Sequence, residues 1–335
     1  VSNPGVQLGN NNCGIPATYE PETIDAYEIG AKNTLLDGRL QANLTAWYYN
    51  YGGYQISSII DNTSVNTNIK AFLGGLEGEF LWAPTDRWQF NLNADWTQSR
   101  IGNTAQIDTR DPGGEDPNAV VIKDGTLSAT NAQNCVIYYT GQPGGFDAAF
   151  ANLSAATGGV FFAPPGGTAA LAKYGVPHAA YGVCTQAVLE TLAPLGFATT
   201  DPNFAGSSTT GVPVNIQGNQ LANTPPYSIS FGAQYTAPMG SGYNLVSRLD
   251  YFWQASMWGR IFDGPADRID SYGVANALIT LNAPDNVWYV SAYGRNIFGG
   301  SHTTGEYLTS SSSGLWTGAF YGEPRTIGIN VGARF

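Results

Sequence analysis

The last ten residues, Thr326 to Phe335, constrain this chain more than any other stretch. Ile327, Ile329, Val331, Ala333 and Phe335 fall on one side of an extended backbone, and Thr326, Gly328, Asn330, Gly332 and Arg334 on the other. Successive side chains of a β-strand point to opposite faces, so strict alternation specifies a strand with one apolar and one polar surface. The apolar side runs to the terminal aromatic residue. Soluble sheets seldom end this way. The closing strand of an outer-membrane barrel does, because it faces lipid along its length.

Composition agrees. Charged residues are 12% of the 335, about half the usual share for a globular domain, while aromatics reach 13%. Mean hydropathy is only −0.14, too low for a helical membrane protein. Low charge with many aromatic and uncharged polar residues suits a sheet that is greasy on one face and polar on the other; a secreted sandwich, β-helix or adhesin shares the composition. A net charge of −11 argues against a nucleic-acid partner, which needs a basic surface. The longest uncharged run, Ala148 to Ala172, is broken by Gly158-Gly159, Pro164-Pro165 and Gly166-Gly167 and cannot cross a bilayer as a helix. The chain starts at Val1 without a Met or a signal peptide, as expected of a processed or partial chain.

Alternation predicts nine strands. The first runs from Tyr27 to Leu36 and turns at Asp37-Gly38 into a second that starts at Arg39, with Ser57 to Asn68 expected as a loop. The third covers Ile69 to Trp82, with a phase slip at Gly74-Gly75 that suggests a β-bulge. The fourth is the cleanest: Trp88, Phe90, Leu92, Ala94 and Trp96 against Gln89, Asn91, Asn93, Asp95 and Thr97. Residues 102–223 then lose the alternation and are expected to form a long external loop insertion, with a short helix from His178 to Leu192. Strands resume at 229–237, 244–258, 272–283, 287–298 and 324–335. Short connections alternate with long ones, and aromatics gather near both ends of the strands. That is the pattern of periplasmic turns, external loops and two interfacial belts, with the C-terminus periplasmic. Nine strands is an odd count, so at least one upstream strand is expected outside this chain.

Several segments resemble the TonB-dependent outer-membrane receptor family. Tyr27-Glu28-Ile29-Gly30-Ala31-Lys32 with Leu36-Asp37-Gly38-Arg39-Leu40 is similar to a "YE-x-G-x-K … DGRL" hairpin of that family. Gly75 to Glu79 resembles its "G-x-E-x-E" strand, Asn223 to Pro226 its "N-x-P" strand entry, Gly294 to Phe298 its "x-R-N-L-F/T" segment, and Pro324 to Gly328 its closing "PR-x-x-G" strand. The resemblance implies an all-β fold: a transmembrane antiparallel β-barrel of 22 strands with an N-terminal plug. On that reading residues 1–335 are the C-terminal part of one barrel domain, and the plug and earlier strands are not in this chain. It further implies a Gram-negative outer-membrane receptor that takes up a siderophore, an oligosaccharide or a similar nutrient, energised by TonB through the absent plug. A passive porin-type channel is the main alternative, and an outer-membrane hydrolase a weaker one.

No catalytic constellation stands out, and neither a metal nor another cofactor is expected. His178 and His302 are isolated loop residues. Asp108, Asp111, Glu115 and Asp116 around Gly113-Gly114 fit no standard calcium loop and read as a solvated acidic turn. Expected ligand contacts are aromatics near the mouth and in the long loops, namely Trp47, Tyr49, Tyr51, Tyr54, Tyr138, Tyr139, Phe161, Phe162 and Trp316, because ring faces bind sugars and planar chelates. Residues expected to face the lumen and plug are Glu28, Lys32, Gln41, Asn43, Glu77, Glu79, Gln89, Asn91, Asn93, Asp95, Arg248, Asp250, Asn330 and Arg334. Of the three cysteines, Cys135 and Cys184 are the disulfide candidates, and the pairing of Cys13 is open.

Overall fold

The computed structural model describes residues 19–333 except 61–62, 125–133, 143, 146, 150–151, 153–178, 183–195, 199–210 and 310–315. The strands, in chain order, are β1 (Thr23–Leu35), β2 (Leu40–Ile60), β3 (Thr63–Thr85), β4 (Trp88–Ile101), β5 (Ala105–Ile107), β6 (Ala119–Asp124), β7 (Asn134–Tyr139), β8 (Ala179–Gly182), β9 (Phe197–Ala198), β10 (Pro213–Asn215), β11 (Tyr227–Pro238), β12 (Asn244–Gln254), β13 (Met257–Trp258), β14 (Arg268–Ile269), β15 (Tyr272–Asn282), β16 (Trp288–Arg295), β17 (Thr303–Leu308), β18 (Thr317–Tyr321) and β19 (Thr326–Ala333).

Nine of them form one antiparallel wall in the order β1-β2-β3-β4-β11-β12-β15-β16-β19. Apart from the insertion between β4 and β11, each wall strand pairs with the next in the chain. These are the nine strands the alternation predicts. The first hairpin turns at Asp37 (φ 52) and Gly38 (φ 87), with Arg39 N–H donating to the Leu36 carbonyl. Leu36 (φ 55) is left-handed as well, and the left-handed central pair Asp37-Gly38 matches the twist of the strands it joins.

Register sorts the side chains of the wall onto two faces. One carries Ile29, Leu44, Leu76, Phe80, Leu92, Phe231, Leu249, Ile279 and Ile329. Ile327, Ile329 and Val331 are 78%, 73% and 74% exposed, so nothing in this chain covers them. At the turn end, rings tile this face: Trp88 stacks on Phe90 and touches Tyr235, and Tyr243 meets Trp288 edge-on.

The strands depart from the sequence reading in three ways. Residues 57–60 and 63–68, expected as loop, continue β2 and β3 as a long hairpin beyond the wall. The register is continuous through Gly74-Gly75. The bulge sits instead at Gly52-Gly53, where Tyr51 pairs with Ala71 and Tyr54 with Ile69, so two residues oppose one. Gly53 takes the left-handed φ of 70 that such a bulge requires. The apparent phase slip at Gly74-Gly75 has another cause. Leu73, Ala71 and Ile69 share a face with Glu77, but near the loop end that face is covered by Ile101, Ile216 and Leu221 and turns apolar.

The region between β4 and β11 is more ordered than its lost alternation suggests. Its two legs pair as β5 and β10. A four-stranded sheet, β8-β6-β7-β9, carries a core of Ala119, Val121, Val136 and Tyr138, against which Val212 packs. Of the helix expected over His178 to Leu192, residues 179–182 are instead strand β8, parallel to β6, where β-branched Val121 and Ile122 already set an extended template; His178 and residues 183–192 lie outside the described residues. The other expected loops also hold short hairpins, β13–β14 and β17–β18.

Candidate functional site

The long connections converge at the loop end of the wall. There, Asp267 closes a 3₁₀ turn, Pro265–Asp267, and is fully buried. A buried carboxylate must be paired, and this one is paired by two arginines. Arg260 donates from Nε to Oδ1 at 2.8 Å and from Nη2 to Oδ2 at 2.9 Å. Arg110 donates from Nη2 to Oδ1 at 3.3 Å and to Thr317 Oγ1 at 3.0 Å. The other edge of Arg260 grips Asp108 at 2.6 and 3.1 Å, and its plane lies over the Phe262 ring, 5.1 Å from the centroid. Burial works against the charge of Arg260, but the two carboxylates more than offset it and hold the guanidinium above its ordinary pKa. This cluster ties the leg before β6, the β13–β14 loop and β18 into one unit.

Beside it, Glu306 on β17 sits directly over Gly259; a Cβ there would lie 2.2 Å from Glu306 Cγ. Glu306 Oε1 is buried with no hydrogen-bond partner, as are Asp263 Oδ1 and Arg110 Nε. Burial, then the neighbouring Asp267, push the Glu306 carboxyl above its usual pKa, against the pull of Arg110 and Arg260. Asp263 is raised as well, first by burial. Glu306 and Arg260 border a cavity of about 380 Å³ between the β2 extension, β5, the β13–β14 loop and β17, walled also by Tyr54, Ile56, Ile107, Ile261, Phe262 and Tyr307.

A second feature lies on the polar face of the wall. Arg248 donates through Nε to Asp250 Oδ2 at 2.8 Å and through Nη2 to Asn91 Oδ1 at 2.9 Å, crossing the whole of β11. It can do so because residue 232 is glycine; a Cβ there would meet Asn91, Arg248 and Asp250 within 2.7 Å. Arg248, Asp250, Asn276, Tyr293, Arg295 and Asn330 line a groove of about 520 Å³ on this face.

The sequence-predicted residues fall into distinct places. Glu28, Lys32, Gln41, Asn43, Glu77, Glu79, Gln89, Asn91, Asn93, Asp95, Arg248, Asp250 and Asn330 all share the polar face. Trp47 and Tyr49 lie on that face too, rings 4.7 Å apart, with the Tyr49 hydroxyl donating to Glu28 Oε1 at 2.8 Å. Tyr51 and Tyr54, brought to one side by the bulge, meet edge-on at 5.2 Å, and Tyr54 reaches the loop-end cavity. Tyr138 is a core residue of the small sheet, Tyr139 donates to the Gln142 carbonyl, and Trp316 is exposed, its carbonyl accepting from Thr309. Cys135 lies on β7 opposite Ile122. Cys13, Phe161, Phe162, His178, Cys184 and Arg334 lie outside the described residues.

Asp111 accepts the N–H groups of Gly113 and Glu115, Asp116 accepts that of Asn118, and Asp108 is held by Arg260. The acidic turn is thus a capped turn, and no group of metal-ligating residues occurs among the described residues. His302 stacks on Tyr272 at 4.2 Å. Sequence reasoning missed Arg110, Arg260, Asp263, Asp267 and Glu306. Each is an isolated charge in a polar loop, and only the pairing of Arg260 with Asp267, seven residues apart, is local.

A family model described as TonB dependent receptor-like, beta-barrel matches residues 2–184, more than half of the chain. The chain belongs to the TonB-dependent receptor β-barrel family. Among solved structures, it is similar to the ferric yersiniabactin uptake receptor FyuA of Yersinia pestis, at 13% identity and a TM-score of 0.51, over 92% of this chain and 29% of that one. The siderophore receptor PiuA of Acinetobacter baumannii aligns at 12% identity and a TM-score of 0.49, over 97% and 29%. No curated protein matches. The chain therefore spans about 29% of the length of such receptors, and its nine-stranded sheet is part of a barrel wall. In this family the exposed apolar face is the one turned to lipid.

Proposed function

We propose that this chain is part of the barrel of a Gram-negative outer-membrane receptor that captures a small nutrient at its external loops and imports it at the expense of TonB-transduced energy. One observation carries the reading. A wall of the TonB-dependent family has its apolar face bare, its other face polar and grooved, and its long connections organised into a walled cavity at one end. A hydrolase needs a nucleophile and base within reach of each other, and the loop-end cluster is instead built of mutually neutralising Arg–Asp pairs. On this reading the long loops are extracellular, the turn end is periplasmic, and the plug and TonB contact belong to sequence outside this chain. A siderophore or an oligosaccharide are the ligand classes the family resemblance suggests.

The test is reconstitution of the full-length receptor into planar bilayers, together with binding of the periplasmic domain of TonB. A plugged receptor is silent at low voltage and binds TonB. Steady open-channel conductance without TonB binding would instead establish a passive porin.

A further inference from the structure

The loop-end cavity is not electrically balanced. Glu306 and Arg260 are the charged groups that line it; Asp108, Asp267 and Arg110 lie behind, bound to Arg260 or to one another. Arg260 is spent on Asp108 and Asp267, and the Nη2 of Arg110 on Asp267 and Thr317. What remains at the cavity wall is one acceptor oxygen, Glu306 Oε1, buried without a donor. Arg110 Nε is also unpartnered and on its own would favour an anion. Arg110 is not among the residues that line the cavity, and its guanidinium charge is already committed.

Glu306 is placed there by the backbone. Only glycine at 259 leaves room for its carboxylate, which would otherwise meet a Cβ 2.4 Å from Oε1. Around it stand Tyr54 and Phe262, with Ile56, Ile107 and Ile261 completing an apolar wall. An unmet buried acceptor leaves a cost of about 1–3 kcal/mol that a ligand donor relieves. Aromatic faces beside a carboxylate favour a cation with a flat apolar body over a neutral one.

Resting on the uptake reading above, we infer that this cavity takes a ligand bearing a protonated amine on a flat apolar body, with the ammonium donating to Glu306 Oε1 and the body held between Tyr54 and Phe262. Anionic ligands are rejected by the Glu306 carboxylate, because the charge of Arg260 is already met by Asp108 and Asp267. This narrows the nutrient to molecules that present a cationic nitrogen at their leading edge.

The experiment is fluorine NMR on the full-length receptor in detergent micelles, with three probes of one shape: 4-fluorobenzylamine, 4-fluorobenzyl alcohol and 4-fluorobenzoate. The amine binds, and the alcohol and benzoate bind at least about tenfold more weakly, a difference of about 1.4 kcal/mol. Glu306→Gln, which keeps the shape, removes that preference, and Gly259→Ala, which displaces the carboxylate, does the same. Circular dichroism and heat-shifted mobility in gels establish that both variants are folded; if either is not, the wild-type ranking of the three probes decides alone. Equal or tighter binding of benzoate or alcohol, no binding of any probe, or an unchanged amine preference in folded Glu306→Gln would overturn the inference. None of these outcomes touches the uptake reading, which fails only on conductance and TonB binding.

Discussion

Ile329 on β19 and Ile137 on β7 are the same residue type in the same secondary structure, and the structure treats them in opposite ways. Ile329 is 73% exposed on a face that no protein atom covers; Ile137 is fully buried in the small sheet between β4 and β11. The wall has no interior of its own on its apolar side, because its partner there is lipid. The small sheet must build a core from neighbouring side chains like any soluble domain. Two solvents act on one chain, and each sets a different rule for what a side chain is worth.

Truncation separates the two rules most sharply. Ile137→Ala should cost about 2–5 kcal/mol, because the packed neighbours close only part of the space it leaves. Hydrogen exchange of β6 and β7 amides in the full-length receptor measures it, and wall amides should be unmoved. Leu92, in mid-strand on the apolar face of β4, is the counterpart. Leu92→Ala should cost only about 0.5 kcal/mol in a phospholipid bilayer, because fluid chains fill the gap and only the transfer preference is lost. Leu92→Arg, by contrast, should cost about 2–4 kcal/mol, since it places a charge in hydrocarbon. Urea titration of the receptor folded into vesicles reads both. An arginine tolerated at position 92 would show that this face meets water.

The polar face supplies an intermediate case. Gly232→Ala removes the gap through which Arg248 reaches Asn91, and a hydrogen bond to a charged group is worth about 1.5–3 kcal/mol. The loss should be near the lower figure, because Asp250 keeps its grip on Arg248. Asn91→Ala made in the same background should then add little, since the two changes break one bond. Full additivity of the two substitutions would show that the bridge contributes nothing.

The same division explains what could be read from the residues alone. The nine strands were legible because lipid on one side and polar groups on the other impose a period of two over many residues, as in Trp88 to Thr97. Where a strand leaves the bilayer that rule lapses. Ser57 to Ile60 continues β2 although its polarity suggests a loop, and the Leu73-to-Leu76 phase change comes from a covering cluster rather than from a bulge. The wall's polar residues were legible for the same reason as its strands, being the alternate positions. The loop-end cluster was not. Arg260 meets Asp108 across 152 residues and Arg110 meets Asp267 across 157, and no local pattern marks a charge whose partner lies so far along the chain. Aromatic type and a place near the long loops do not separate Tyr54, which reaches the cavity, from Tyr138, which packs a core.

The smallest effect belongs to the acidic turn, where loop-region burial acts on a titratable group. Burial raises the Asp111 carboxyl from 3.8 to about 6, despite the N–H groups of Gly113 and Glu115 that it accepts; Asp108 and Glu115 add to the rise. A raised carboxyl favours the protonated form in the folded turn. Its contribution to folding is therefore fully present below about pH 4 and is lost as pH climbs through 6. Protection of the Gly113 and Glu115 amides against exchange, corrected for the intrinsic pH dependence of exchange, should fall between pH 4.5 and pH 7. Asp111→Asn should flatten that slope, because its side chain no longer titrates. A surface carboxylate in the same two hydrogen bonds would behave oppositely, with a depressed pKa and protection that grows with pH. The sign of the slope thus reports whether the region between β4 and β11 keeps its own dry interior at this turn.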